Sequence, residues 1–280
     1  MISAFICPET LAKALDYLSS GEYTPIAGGT DLIPQIRQGK ILKLLDISKL
    51  GLNFIKHDND TIEIGSTVTH TMLCENNIIR RHLPLLSETC SQVGSAQIRN
   101  RGTIGGNIIN ASPCADSVPT LIAYEAELRL LSKKGDRNVK LSDFTRGPYQ
   151  ADIKPEELLY SIECKVPGEI TGYSYIKLGR RQAVNISRMT LAALMVKNGE
   201  LIKSIRLAGG SVFPVPARFS QVEESLVGQI ASRKLFEEAG KLAADCMIKE
   251  SGIRWSTPYK KPVLSGLTER ALLKAAGLND

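Results

Sequence analysis

Apolar positions along this chain switch between helical and alternating spacing, and the switches mark out its elements. Leu11, Ala14, Leu15 and Leu18 share one face at helical spacing, which predicts a helix over 9–18 with Pro8 in its first turn and Gly21 ending it. Residues 23–27 read as a buried strand, 31–38 as a short helix and 42–47 as a second buried strand, so the first 53 residues form a small βαβ-type unit. The runs 54–56 and 61–64 flank Asp58-Asn59-Asp60 as a hairpin, and 68–97 follows helical spacing interrupted at Pro84. A helix is predicted over 116–124, opened by Asp116, with strands at 126–131 and 139–141 around Lys134-Gly135-Asp136 and another at 158–166.

Pro167-Gly168 marks a boundary, because the pattern changes after it. Strands at 174–178, 190–197 and 201–207 come first, the last two joined by a tight turn at Asn198-Gly199. Helices follow at 217–227, 233–250 and 257–277, the last started by Thr257-Pro258. The expected fold is α+β, with a first domain over 1–167 divided near residue 53 and a second over 168–280. A length of 280 residues suits two domains.

Two glycine pairs stand out against this pattern, Ala27-Gly28-Gly29-Thr30-Asp31 and Thr103-Ile104-Gly105-Gly106-Asn107. Each follows a short apolar run and precedes a polar or helix-forming stretch, where backbone N–H groups are left free to face an anion. Without Cβ atoms the glycines let the main chain approach a diphosphate closely. Two such turns predict a large dinucleotide held from two sides. A third pair, Gly209-Gly210, runs into Val212-Phe213-Pro214-Val215-Pro216, an extended segment, and reads as structural.

Composition narrows the chemistry. With 43% hydrophobic and 23% charged residues the chain is expected to fold compactly. The net charge of +6 is scattered in short pairs, which argues against a nucleic-acid footprint; Arg37 and Lys40 read as surface charges. No basic leader precedes a long apolar run and no stretch approaches a membrane span, so a cytoplasmic location is expected. Six cysteines lie far apart without metal-ligand spacing, so no metal or cluster is expected on this chain. His57, His70 and His82 are isolated and read as surface or capping residues, and no Ser/His/Asp arrangement is legible.

Longer stretches around the glycine pairs resemble a known family. Residues 26–32 (IAGGTDL), 97–108 (QIRNRGTIGGNI), 110–117 (NASPCADS), 175–181 (YIKLGRR) and, more loosely, 208–214 are similar to the FAD-binding medium subunits of the molybdenum hydroxylases, which include xanthine, nicotinate and carbon monoxide dehydrogenases. The resemblance implies a first domain of the vanillyl-alcohol oxidase type, two α/β subdomains with FAD between them. It also implies a C-terminal domain of a three-stranded antiparallel sheet and a helical bundle. By the family's pattern Ile26, Ala27, Gly28, Gly29, Thr30, Asp31, Leu32 and Ile33 line the diphosphate and ribose, and Thr103, Ile104, Gly105, Gly106 and Asn107 make the second clamp. Asp116 would touch the ribityl or adenosine side and Leu159 would pack on the cofactor. Lys177 would sit near the pyrimidine end of the flavin and raise its reduction potential. Val93 stands where animal enzymes place an aromatic ring.

The implied role is a flavin subunit with non-covalent FAD and no catalytic group of its own. Molybdopterin would lie in a large partner and 2Fe–2S clusters in a small one, with NAD+ as acceptor and a dimer of heterotrimers as the assembly. A purine, xanthine or hypoxanthine, is the first substrate expected, with nicotinate or carbon monoxide behind it. A stand-alone flavin reductase of the same fold and a nucleotide-binding scaffold without redox chemistry are the rival readings.

Overall fold

The computed structural model of the chain describes residues 1–168, 170–181 and 185–278. In the first unit β1 (Ile2–Ile6), α1 (Leu11–Leu18), β2 (Tyr23–Ile26), α2 (Leu32–Arg37) and β3 (Leu42–Asp46) follow in order. The strands pair in parallel as β1-β3-β2. β1 is absent from the sequence reading because its side chains are mostly exposed and leave no buried alternation. The Thr10 hydroxyl accepts from the Lys13 N–H at 3.3 Å and caps α1, so Pro8 lies outside the helix rather than in its first turn. Ala14 and Leu18 on α1 pack with Leu45, Ile47, Leu52 and Leu158.

The second unit begins with the predicted hairpin, β4 (Ile55–Asp58) and β5 (Thr61–Gly65). The helical stretch after it is broken more often than Pro84 alone requires, into α3 (His70–Glu75), α4 (Asn77–His82) and α5 (Pro84–Ser91), followed by α6 (Ala96–Arg101). Local capping explains the breaks. Thr69 caps α3, Ser95 caps α6, and Asn76 ends α3 while its side chain accepts from the N–H groups of Ile78 and Ile79 to start α4. Then come α7 (Ile104–Ile109), α8 (Ser117–Ala123), β6 (Glu127–Leu131), β7 (Arg137–Lys140), α9 (Leu141–Phe144), the ribbon β8 (Thr145–Gly147) with β9 (Gln150–Ala151), and β10 (Leu158–Lys165). The large sheet is antiparallel in the order β4-β5-β10-β6-β7. Its inner face, with Ile62, Ile64, Leu128, Leu130 and Ile162, buries against Leu73, Leu86, Ile104, Ile108 and Leu121 from the helices. This alternation is the period of two that made these strands legible.

The C-terminal unit contains β11 (Gly172–Gly179), β12 (Ser187–Asn198), β13 (Leu201–Gly210) and β14 (Ala217–Arg218), then α10 (Ser220–Leu226), α11 (Arg233–Ser251) and α12 (Thr257–Ala276). The three expected strands are longer than predicted, and a fourth, two-residue strand joins their sheet in the order β11-β12-β13-β14. Residues 217–218, read as the start of a helix, are that strand, and α10 begins at Ser220. Buried Glu223 explains the correction. It accepts from the Leu207 N–H at 2.7 Å and from Arg218 at 2.9 Å (Nε) and 2.6 Å (Nη2), which ties the α10 turn to β13 and holds Arg218 in the ladder. Gly209-Gly210 ends β13 against α8: a Cβ on Gly210 would stand 2.7 Å from Pro119 Cγ. No helix among the described residues is long and apolar enough to cross a membrane.

α11 and α12 pack together and α12 lies across β11 and β12, where the Ser174 hydroxyl donates to the Ala271 carbonyl at 2.7 Å. A Cβ on Gly172 would fall 1.9 Å from the Ala275 carbonyl oxygen, whereas nothing stands within 4 Å of one on Gly266 inside the same helix. Gly172→Ala is therefore expected to lift α12 off the sheet and cost about 1–3 kcal/mol. Gly266→Ala is expected to stabilise by up to about 1 kcal/mol, and thermal unfolding of the two variants beside wild type checks the pair.

Candidate functional site

The first glycine turn leaves β2 at Ile26, whose carbonyl accepts from the Ile47 N–H at 3.0 Å, and enters α2. Gly29 has φ of +73°, a conformation that lets a tight turn point successive N–H groups to one side. The first N–H to return to the chain is that of Ile33, which donates to the Gly29 carbonyl at 3.0 Å. No acceptor among the described residues meets the N–H groups of 28–32. This wall offers a run of free donors.

The second glycine pair is different from its sequence reading. Gly105 and Gly106 lie in the first turn of α7, not in a loop, and the N–H groups there are already engaged. Ile104 donates to the Val68 carbonyl (2.9 Å), Gly105 to the Ser66 carbonyl (3.0 Å), Gly106 to the Thr103 hydroxyl (3.1 Å) and Asn107 to the Thr103 carbonyl (3.0 Å). Gly105 is required by packing, since a Cβ there would lie 2.6 Å from the Ser66 carbonyl oxygen. The expectation of two walls of free N–H groups thus holds for 28–32 and fails for 104–107.

The two segments do face each other. A Cβ on Gly28 would sit 1.9 Å from the Arg101 carbonyl oxygen, and Asn110 Nδ2 donates to Asp31 Oδ1 at 3.2 Å. Between them and the large sheet runs a cleft of about 740 Å³, a size suited to a large cofactor. Of the sequence-predicted residues, Ala27, Gly28, Gly29, Thr30, Asp31, Leu32, Thr103, Gly105, Gly106, Asn107 and Leu159 line it, as does Val93. Ile26 and Ile104 are buried outside its lining, and Ile33 is about one-third exposed. Burial pushes the Asp31 carboxyl above its ordinary value.

Asp116 and Lys177 lie apart from that lining and hold each other. Lys177 Nζ is 2.6 Å from Asp116 Oδ2 and 2.8 Å from the Gln92 carbonyl, with both side chains more than nine-tenths buried. Tyr175 donates to Asp116 Oδ1 at 3.2 Å and the Ser187 hydroxyl donates to the same oxygen. Burial and the Asp116 charge push the Tyr175 hydroxyl well above the usual phenol range, so it remains a donor. Lys177 borders a second hollow of about 750 Å³ together with Arg99, Arg180 and Arg181. Arg99 Nη1 donates to the carbonyls of Val93 (3.1 Å) and Gly94 (3.3 Å), so the segment 92–94 separates the two spaces. The Lys177 ammonium faces them as one end of an ion pair rather than as a free charge.

Sequence reasoning missed several lining residues. His70, read as a surface or capping residue, is 2% exposed and lines the cleft beside Ser66; Lys40, read as a surface charge, lines it also, as do Tyr23 and Lys154. No spacing signal marked them, because β2, the α2 end, α3 and the 149–157 segment meet only in space. His57 is exposed as read, but it is not isolated: its ring packs on that of half-buried His82, with centroids 4.2 Å apart.

These residues fit a flat dinucleotide with a diphosphate bridge. The free N–H run offers donors to an anion, the glycines leave room for close approach, and Val93, Ile98 and Leu159 provide apolar surface. Ser66 Oγ and His70 Nδ1 are buried polar atoms without a hydrogen-bond partner among the described residues.

Burial, with the Arg99 charge second, lowers the His70 pKa from 6.5 to about 4. The folded ring is neutral while the unfolded one takes a proton near 6.5, so stability present above that pH is lost as the pH falls towards 4. The loss is expected to reach about 3 kcal/mol. Urea unfolding at a series of pH values checks it: His70→Gln should remove this share of the acid destabilisation. Gly28→Ala, whose Cβ meets a backbone carbonyl that cannot turn aside, is expected to force 28–31 away from 101–102 and abolish retention of FAD, read as flavin absorbance per chain after purification.

Residues 1–167 match the family described as the FAD binding domain in molybdopterin dehydrogenase, and 174–275 match the CO dehydrogenase flavoprotein C-terminal domain. The glyceraldehyde dehydrogenase medium chain of Sulfolobus acidocaldarius is 32% identical over 280 residues, covering 98% of each chain. The nicotinate dehydrogenase FAD-subunit of Eubacterium barkeri is 32% identical over 276 residues, covering 95% of this chain and 93% of its own. Among solved structures, carbon monoxide dehydrogenase from Hydrogenophaga pseudoflava superposes with a TM-score of 0.89 at 29% identity, covering 98% of this chain and 97% of that one. With both of its domains matched and its relatives aligned over nearly their whole length, this chain belongs to the FAD-binding medium subunits of the molybdenum hydroxylases.

Proposed function

We propose that this subunit takes electrons from 2Fe–2S clusters on a small companion chain and passes them through FAD to NAD+, in a cytoplasmic complex whose large molybdopterin chain oxidises a purine. That it is an oxidoreductase subunit with an FAD-binding domain follows from its family; the substrate, the acceptor and the assembly as a dimer of heterotrimers are our own reading. The observation that carries it is the wall of free N–H groups at 28–32 facing the 101–107 segment across a cleft roofed with apolar side chains. Cys7, Cys74, Cys90, Cys114, Cys164 and Cys246 are all free thiols, which suits a reducing compartment.

Bound FAD supplies the exchange between single electrons on arrival and a hydride on departure. The chain's own residues do the holding. The turn at 28–32 would grip the diphosphate through main-chain donors, Thr103 and Asn107 would close the opposite wall, and Leu159 and Val93 would pack on the ring system and keep water from it. Asp116 and Lys177 set the approach of the C-terminal sheet to the flavin side of the cleft, and their pairing fixes the dipole presented there. A Lys177 charge matched by Asp116 tunes the flavin potential less than an unpaired ammonium would.

The purine reading rests on overall likeness to flavin subunits of xanthine dehydrogenase type. Nicotinate is the second reading, favoured by the 32% identity to the nicotinate dehydrogenase subunit. Purification of the chain with its neighbours is expected to yield a yellow complex containing molybdenum and iron, and steady-state assays are expected to show hypoxanthine-dependent reduction of NAD+. Turnover of nicotinate instead of hypoxanthine would replace the substrate assignment, and reduction of oxygen or a quinone but not NAD+ would replace the acceptor. A colourless chain that purifies alone would overturn the whole reading.

A further inference from the structure

We propose that His70 and Ser66 donate hydrogen bonds to the diphosphate of bound FAD, from the wall opposite the 28–32 turn. The inference rests on the FAD-subunit reading and adds to it two side chains that stand outside both glycine motifs.

The argument starts from donors. A diphosphate bridge presents non-bridging oxygens to both sides, and the 28–32 turn can meet only those on its own side. On the facing side the N–H groups of Ile104, Gly105, Gly106 and Asn107 are all engaged within the protein. Among the described residues only Thr103 keeps a main-chain donor without an acceptor where the resemblance places a second clamp. Side chains must supply any further donor from that wall.

Two buried polar atoms are in position to do so. Ser66 is 4% exposed and His70 is 2% exposed, both line the cleft, and Ser66 Oγ and His70 Nδ1 have no hydrogen-bond partner among the described residues. Leaving such groups unpaired is unfavourable, so their place beside a cofactor cleft points to a partner that arrives with the ligand. Their position agrees. The point where Gly102 would carry a Cβ lies 3.5 Å from His70 Cδ2 and also 3.5 Å from Thr30 Oγ1, so the imidazole and the first turn meet over the same glycine. Ser66 stands over Gly105, where a Cβ would come within 2.7 Å of Ser66 Cβ. Gly105 thus packs directly on Ser66, and Gly102 lies at van der Waals distance from the imidazole. The imidazole is neutral at neutral pH, because burial disfavours its charged form, and so offers one N–H without bringing a charge of its own.

The test uses the assembled complex, stripped of flavin and titrated with FAD, with ADP and with riboflavin, following flavin fluorescence and, for ADP, competition against FAD. Ser66→Ala and His70→Phe are each expected to weaken FAD and ADP by about tenfold or more while riboflavin, which has no phosphate, binds as to wild type. His70→Gln keeps a neutral N–H donor and is expected to recover most of the affinity. At saturating FAD the phosphorus-31 resonances should move in Ser66→Ala and His70→Phe, a change that a purely structural role would not produce. The proposal is overturned if both variants bind FAD within twofold of wild type with unmoved phosphorus signals, or if riboflavin is weakened as much as FAD. A wild-type complex that takes up no FAD would fail at the earlier step, removing the FAD-subunit reading and this inference with it.

Discussion

The contact of Gly28 with the Arg101 carbonyl is the constraint on which the cleft depends. Backbone meets backbone there, with no room for a single added carbon, and this apposition brings the turn that follows β2 of the parallel sheet against the end of α6. A side chain at that point would separate the first unit from the second and widen the space in which a diphosphate must be gripped from close range. The Asn110 amide bonded to Asp31 fixes the same approach from the far end of α7. The two glycine motifs therefore do unlike jobs. The first turns donors towards the cleft, and the second lets a helix seat tightly on Ser66 and Thr103 so that the turn has something to face.

Asp116 has a comparable place between the first domain and the C-terminal sheet. A carboxylate buried at the start of α8 would be costly alone, but here it accepts from Lys177, Tyr175 and Ser187, which belong to β11 and β12. The C-terminal sheet is thereby registered on the first domain by charge-assisted hydrogen bonds at one end. Arg206 and Arg218 on Glu125 register it at the other. Lys177 of that sheet also donates to the Gln92 carbonyl, next to Val93 on the border of the cleft.

For a flavin subunit the arrangement separates tasks. The polar side of the cleft lies where a strand, a turn and a buried helix converge, with the free N–H groups of 28–32 along it. The apolar side of the cleft is made by Val93, Ile98 and Leu159, all within residues 1–167.

Much of this was legible in the sequence. The alternation of Ile62, Ile64, Leu128, Leu130 and Ile162 specified the large sheet, Asn198-Gly199 specified a hairpin, and the glycine pairs specified where the backbone comes close to something else. Those features are local, set by side-chain period and by which residues tolerate a turn. The tertiary structure alone decided which N–H groups remain free, since the partners of 104–107 include carbonyls of Ser66 and Val68 that are remote in the chain. It decided also that His70 faces the cleft, that Lys177 is matched by Asp116, and that 217–218 is a strand held by Glu223. Hydrogen-bond satisfaction and burial are properties of what lies opposite a residue, and no local pattern records them.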